Sequence, residues 1–190
     1  MLNGLMVLKK MVDMTKLILY HGTSAEKARK IEKEGFVPDK TYNWGVKSKK
    51  GFVYLSVAYA PFYAMSHGTR KLAIIKVEVD TKDMYPEDDF IMCALGKRKY
   101  TQEQLDSVDL ESYKHLWKKS LKFLGNVAVK PDNVRIIGVR YFDGKGLLMK
   151  CDPVICPENF MILGDYYKRL SEWIFQGKEI MKFPNFMECN

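Results

Sequence analysis

Apolar positions along this chain repeat at two periods, and the period changes mark the elements. From Lys71 to Val79 an apolar run passes into alternation, with Ile75, Val77 and Val79 set against Lys76, Glu78 and Asp80. That pattern predicts a strand with one well-buried face. Lys16-Leu17-Ile18-Leu19-Tyr20 and Phe52-Val53-Tyr54-Leu55-Ser56 read as shorter strands, as do Asn126 to Val129 and Val134 to Tyr141. Lys130-Pro131-Asp132-Asn133 is a good turn sequence between the last two, and Gly144 to Met149 reads as a further β segment. Thr23 with Glu26 forms a capping box that opens a helix through Ala25, Ala28 and Ile31 to Glu34, closed by Gly35. Pro61 suits the first residue of a second helix, through Phe62, Ala64 and Met65 to Ser66, ended by Gly68. Thr101 and Gln104 form another capping box, predicting one long helix that carries Leu105, Val108, Tyr113, Leu116 and Trp117. Tyr166 to Met181 has helical spacing and reads as a C-terminal helix packed back on the body. Strands and helices intermix without repeats, which gives an α+β fold.

Composition narrows the class. At 190 residues, with 47% hydrophobic and 28% charged residues, the chain has globular proportions and the length of a single domain. Residues 1–13 read as an appendage and 14–190 as that domain. A net charge of +8 and a pI near 9.2 favour an anionic partner: nucleotide, nucleic acid or membrane surface. The apolar runs are too short to span a bilayer, and Lys9, Lys10 and Asp13 stand where a signal peptide would continue its apolar run. Cys93, Cys151, Cys156 and Cys189 have neither disulfide-framework nor zinc spacing and read as reduced packing residues. The expected setting is cytoplasmic, with no membrane partner.

The strongest chemical signal is Tyr20-His21-Gly22-Thr23-Ser24, between a strand and a capped helix. Such a junction offers free backbone N–H groups, a glycine that admits a ligand to the main chain, and an imidazole with hydroxyls to orient it. Val53-Tyr54-Leu55-Ser56 follows, then Tyr59-Ala60-Pro61-Phe62-Tyr63-Ala64 and the strand from Leu72 to Val79. This order resembles the ADP-ribosyltransferase fold superfamily, which includes poly(ADP-ribose) polymerases, diphtheria-type toxins and tRNA 2′-phosphotransferases. The resemblance covers roughly residues 16 to 140 and implies a split, mixed or antiparallel central sheet with flanking helices.

It also implies NAD as the bound nucleotide and ADP-ribosyl transfer to a macromolecular acceptor, protein or RNA, as the activity. His21 would bond the adenosine-side ribose, the Gly22 backbone would hold the nicotinamide amide, and Tyr54 would stack on the ring, with Thr23 and Ser56 completing the binding set. Departure of neutral nicotinamide leaves an oxocarbenium ion that a carboxylate would stabilise. The third catalytic position falls in Leu124-Gly125-Asn126-Val127-Ala128-Val129, where Asn126 stands and no carboxylate is present. That stretch is similar to the late strand of the tRNA 2′-phosphotransferases, whose RNA phosphate supplies the nucleophile. An RNA 2′-phosphotransferase-like enzyme and a catalytically silent nucleotide- or nucleic-acid-binding domain are therefore the alternatives.

Other groups have plainer readings. His67 reads as a helix-terminal surface residue, and Glu87-Asp88-Asp89 as an acidic loop rather than a divalent-cation site. Glu103, Glu111 and His115 read as solvated residues of the long helix. Residues 38 to 51 read as a mobile basic loop over the site. The lysines of that loop and of the long helix are expected to flank a phosphate-bearing ligand.

Overall fold

The computed structural model describes residues 15–37, 49–97, 99–150 and 160–184. The predicted N-terminal appendage and most of the basic loop lie outside the described residues.

Six strands form one open antiparallel sheet in the order β4-β5-β2-β1-β3-β6. They are β1 (Lys16–Ser24), β2 (Val53–Ser56), β3 (Lys71–Asp80), β4 (Met84–Pro86), β5 (Asn126–Val129) and β6 (Arg135–Asp143). β3 lies inside the sheet, and its alternation sends side chains to two separate cores. Leu72 and Ile74 join Tyr20, Ala60, Ala64 and Leu170 on one face, while Ala73, Ile75, Val77 and Val79 join Leu19, Ala28, Leu55 and Val127 on the other. Burial of both faces explains why the first half of this strand reads as a continuous apolar run. A third cluster, around Tyr85, Ile91, Met92, Leu105 and Ala128, closes the β4 end.

The sheet is divided near its middle. β1 pairs with β3 along its whole length, from Lys16↔Asp80 to Ser24↔Leu72, but meets β2 only at Tyr20↔Ser56. Past Tyr20 the two strands part, which leaves one side of the His21–Ser24 segment outside the β1–β2 ladder.

The helices are α1 (Ala25–Glu34), α2 (Ala60–Met65), α3 (Asp88–Ala94), α4 (Gln102–Asp106), α5 (Trp117–Leu124), α6 (Gly144–Lys150) and α7 (Phe160–Phe175). Several differ from expectation for identifiable reasons. The cap of α1 is Ser24, whose Oγ accepts the Lys27 N–H at 3.3 Å; Thr23 is still within the ladder, opposite Ala73. Gly35 does close the helix at φ 77°, its N–H donating to the Ile31 carbonyl.

The single long helix is instead three short pieces: α4, a 3₁₀ turn over Lys114–Leu116, and α5. Asp109 accepts the Glu111 N–H and the Ser112 hydroxyl, a local alternative to helical bonding. The break lets both Val108 and Leu110 be buried. The capping box at Thr101 and Gln104 forms as read. Gly144–Lys150 is a helix rather than a strand, with Asp143 Oδ1 accepting the Lys145 N–H at 2.7 Å at its start. Periodicity alone does not separate the two in so short an apolar run. α7 begins earlier than predicted and stops at Phe175, with Gly177 at φ 68° two residues on.

Candidate functional site

A cavity of about 1030 Å³ opens where β1 and β2 part, and His21, Gly22, Thr23, Tyr54, Asn126 and Glu87 are among its lining residues. It stands at the upper end of the usual range for ligand pockets, about 300–1,000 Å³. β1, β2 and β5 are consecutive neighbours in the sheet around it, so the three sequence-predicted catalytic positions converge on one space.

His21 spans the gap between the strands. Its Nδ1 lies 3.1 Å from the Tyr54 carbonyl oxygen, and a carbonyl only accepts, so Nδ1 carries the proton and donates. Nε2 is left as an acceptor. Burial holds this imidazole below its ordinary pKa, opposed by the bond to Tyr54 and assisted by the nearby Lys27 charge. The ring edge packs against Phe36, centroids 5.2 Å apart.

Gly22 lines the cavity and is also constrained by packing. A Cβ there would stand 1.8 Å from the Ala60 carbonyl oxygen and 2.8 Å from the Ala64 nitrogen, both backbone atoms of α2. Close packing of strand on helix is enough to require it.

Tyr54 is fixed at its tip. Its hydroxyl accepts the Lys49 N–H at 3.1 Å and is hydrogen-bonded to the Asp88 carboxylate. Burial and that carboxylate keep the phenol protonated far above the usual range.

Ser56 and Thr23 are both held by neighbouring protein groups. Ser56 does not line the cavity: its buried hydroxyl donates to the Gly125 carbonyl at 3.0 Å and accepts the N–H groups of Ala58 and Tyr59, fixing the entry to α2. Thr23 is buried, with Oγ1 3.4 Å from His67 Nε2. His67 is therefore a cavity residue and not a surface one, and burial first, then the charge of Lys27, lower its pKa to about 4.

Asn126 carries the feature that the sequence concealed. Its Nδ2 donates to the Tyr63 hydroxyl and, at 3.2 Å, to Glu87 Oε2. Glu87 precedes α3 on the turn after β4, and β4 pairs with β5 at Pro86↔Val127, so the acidic segment enters the site beside Asn126. Ser120 of α5 ties the two backbones together, accepting the Glu87 N–H at 2.9 Å and donating to the Asn126 carbonyl at 2.9 Å. Burial, then the charges of Asp89 and Asp88, push Glu87 up to about 8. Asp88 rises to about 6, chiefly through burial. Two buried acceptors here, Asp88 Oδ2 and Asn126 Oδ1, have no hydrogen-bond partner among the described residues. In a packed interior that is costly. Such a floor suits a ligand that brings positive charge or N–H donors. Among the described residues no group of three or more His, Cys, Asp or Glu side chains is arranged to hold a metal.

Lys40 and Lys47 of the basic loop lie outside the described residues, and the described basic groups divide between the cavity and other surfaces. Lys27 and Lys30 of α1 line the cavity. Lys49 Nζ donates to the carbonyls of Asp106 and Val108 near the end of α4. Lys114 and Lys130 sit over the Tyr85 ring, and Glu111 accepts from the Tyr85 hydroxyl at 2.6 Å. Neither those lysines nor Glu103, Glu111 and His115 line the cavity. Cys93 is exposed rather than packed, and no helix among the described residues is long and apolar enough to cross a membrane. Comparison with family models, with curated proteins and with solved structures finds no match.

Proposed function

We propose that this chain binds NAD and transfers its ADP-ribose to a macromolecular acceptor, as an ADP-ribosyltransferase-like enzyme. One observation carries the reading: His21, Gly22, Tyr54 and Asn126, on three neighbouring strands, line a single cavity at the place where the sheet divides. Their order along the chain is the one that the resemblance implies.

The charge layout supports the choice of ligand. NAD joins a cationic nicotinamide ring to an anionic pyrophosphate, and the cavity offers groups for both: Glu87, Asp88 and Asp89 at the β4–α3 end, and on α1 the lysines Lys27 and Lys30 beside Glu26 and Glu34. The unpartnered acceptors of Asp88 and Asn126 match a positive, N–H-bearing group. When bound, NAD supplies a glycosidic bond whose cleavage releases a neutral ring. The protein's own groups then have definable tasks. His21 Nε2 accepts a ribose hydroxyl proton, its ring orientation set by the Nδ1 bond to Tyr54. The Tyr54 ring, held at its hydroxyl, offers a flat wall for a flat cation. Lys27, partly buried, opposes phosphate charge.

Calorimetric titration with NAD and a transfer assay with labelled NAD test this. The wild-type protein is expected to give binding heat and transfer, and His21→Ala to bind about tenfold more weakly or worse, the worth of one buried hydrogen bond. Absence of heat, transfer and hydrolysis in the wild type would sink the reading. Release of a 2′-phosphate from a model RNA, with formation of an ADP-ribose cyclic phosphate, would replace it with the phosphotransferase. Salt-sensitive nucleic-acid binding that survives both His21→Ala and Tyr54→Ala, with no turnover, would replace it with a binding domain.

A further inference from the structure

The third corner of the cavity holds an asparagine where the reaction calls for a negative charge, yet a carboxylate touches that asparagine. We propose that Glu87, carried in from the β4–α3 turn and held against Asn126, is the carboxylate that faces the reacting ribosyl carbon and takes the acceptor's proton. The inference rests on the NAD reading above and adds a catalytic residue that the motif pattern does not contain.

Three observations point to it. Glu87 Oε2 accepts from Asn126 Nδ2 at 3.2 Å, so this carboxylate stands beside the strand position expected to carry the charge. The Ser120 hydroxyl fixes the backbone of Glu87 to that of Asn126 through two bonds of 2.9 Å. Asp88 Oδ2 and Asn126 Oδ1, on residues 3% and 4% exposed, have no donor among the described residues and line the same cavity. A floor of acceptors without donors is complementary to developing positive charge. The groups around Glu87 from the packed elements fit this: Asp88 and Asp89 from α3, Tyr63 from α2, Ser120 from α5 and Asn126 from β5, with no cation among the described residues there.

The step balances as follows. The bond between the ribosyl carbon and the nicotinamide nitrogen breaks, its electron pair going to the nitrogen, which becomes neutral. The positive charge left at carbon is opposed by the Glu87 carboxylate, an acceptor lone pair forms the new bond there, and the acceptor's proton passes to Glu87. Glu87 must therefore be ionised when the cationic ring is in place. In the free protein it holds its proton to about pH 8. Binding a cation beside it displaces that proton, so NAD binding near pH 7 is coupled to release of about one proton. Asn126 acts as the positioning residue.

The test uses the full chain. NAD binding is measured calorimetrically at pH 7 in two buffers of different ionisation heat, beside transfer and NAD hydrolysis rates, for wild type, Glu87→Gln and the double variant Glu87→Gln with Asn126→Glu. Glu87→Gln is expected to keep NAD affinity within a few-fold, lose the proton release and lose about 100-fold or more in rate, as removal of one electrostatic or acid–base group does. Moving the carboxylate to position 126 is expected to restore at least about tenfold of that loss. If Glu87→Gln binds NAD and keeps both rate and proton release, the inference is overturned while the NAD reading stands. If the wild type binds no NAD, the reading beneath it falls, and this assignment with it.

Discussion

A methyl group at position 22 would lie 1.8 Å from the Ala60 carbonyl oxygen, and backbone cannot yield as a side-chain tip can. Gly22→Ala must push α2 off β1 and is expected to cost about 3 kcal/mol or more, the upper range for overpacking. Urea denaturation measures it. Unchanged stability in the Gly22→Ala protein would mean that α2 does not pack so closely on β1. Glu87 poses the opposite case, a residue replaceable without loss of fold. Because its folded-state carboxyl holds a proton that the unfolded chain releases near 4.5, the folded state binds more protons between that pH and about 8. Its contribution to stability is complete below pH 4.5 and is lost as pH rises through 8. Glu87→Gln keeps the neutral, hydrogen-bonding shape and should flatten the decline between about pH 5 and 8. Denaturation midpoints across that range decide it: an unchanged slope would mean Glu87 is already ionised.

At the scale of elements, the site depends on how α5 and the β4–α3 turn are joined. Ser120, fully buried, is the hydroxyl that bridges the Glu87 N–H and the Asn126 carbonyl. Ser120→Ala leaves both backbone groups without that partner and is expected to cost about 2 kcal/mol. It should also loosen Glu87 against Asn126. Stability falling with transfer rate unaltered would show that the bridge serves the fold alone. This scale also shows what sequence reasoning reaches. Alternation in β3 and the caps at Thr101 and Gly35 are local patterns, so the strands and helix ends they mark were legible. His21, Tyr54 and Asn126 were legible as positions, since each sits at a recognisable strand end or motif. Glu87 was not, because its place beside Asn126 comes from β4 pairing with β5 across a long connection. His67 was missed for a similar reason: its contact with Thr23 is set by α2 packing on β1. Helical spacing from Leu105 to Trp117 misled because Asp109 offers a competing turn while Leu110 is also buried.

Across the whole molecule, the net charge of +8 first pointed to an anionic partner, but the cavity is not uniformly basic. Its two groups of titratable residues carry opposite pH signatures. His67, and with it His21, is held neutral by burial, so the unfolded chain binds more protons than the folded one below the ordinary histidine range. That contribution is complete above about pH 6.5 and is lost as pH falls through 4. Glu87 and Asp88 act the other way, weakening the fold as pH rises. The two limbs overlap, and the ligand-free protein should be most stable in a mildly acid window where their opposite slopes cancel. Separate substitutions should remove separate limbs. His67→Gln is expected to soften the acid limb and leave the alkaline one, and Glu87→Gln the reverse. Saturating NAD, by ionising Glu87 in the folded state, should raise the midpoint most at the alkaline end, where the displaced proton costs least. A stabilisation by NAD that is flat from about pH 6 to 9 would mean that the cationic ring does not sit beside Glu87.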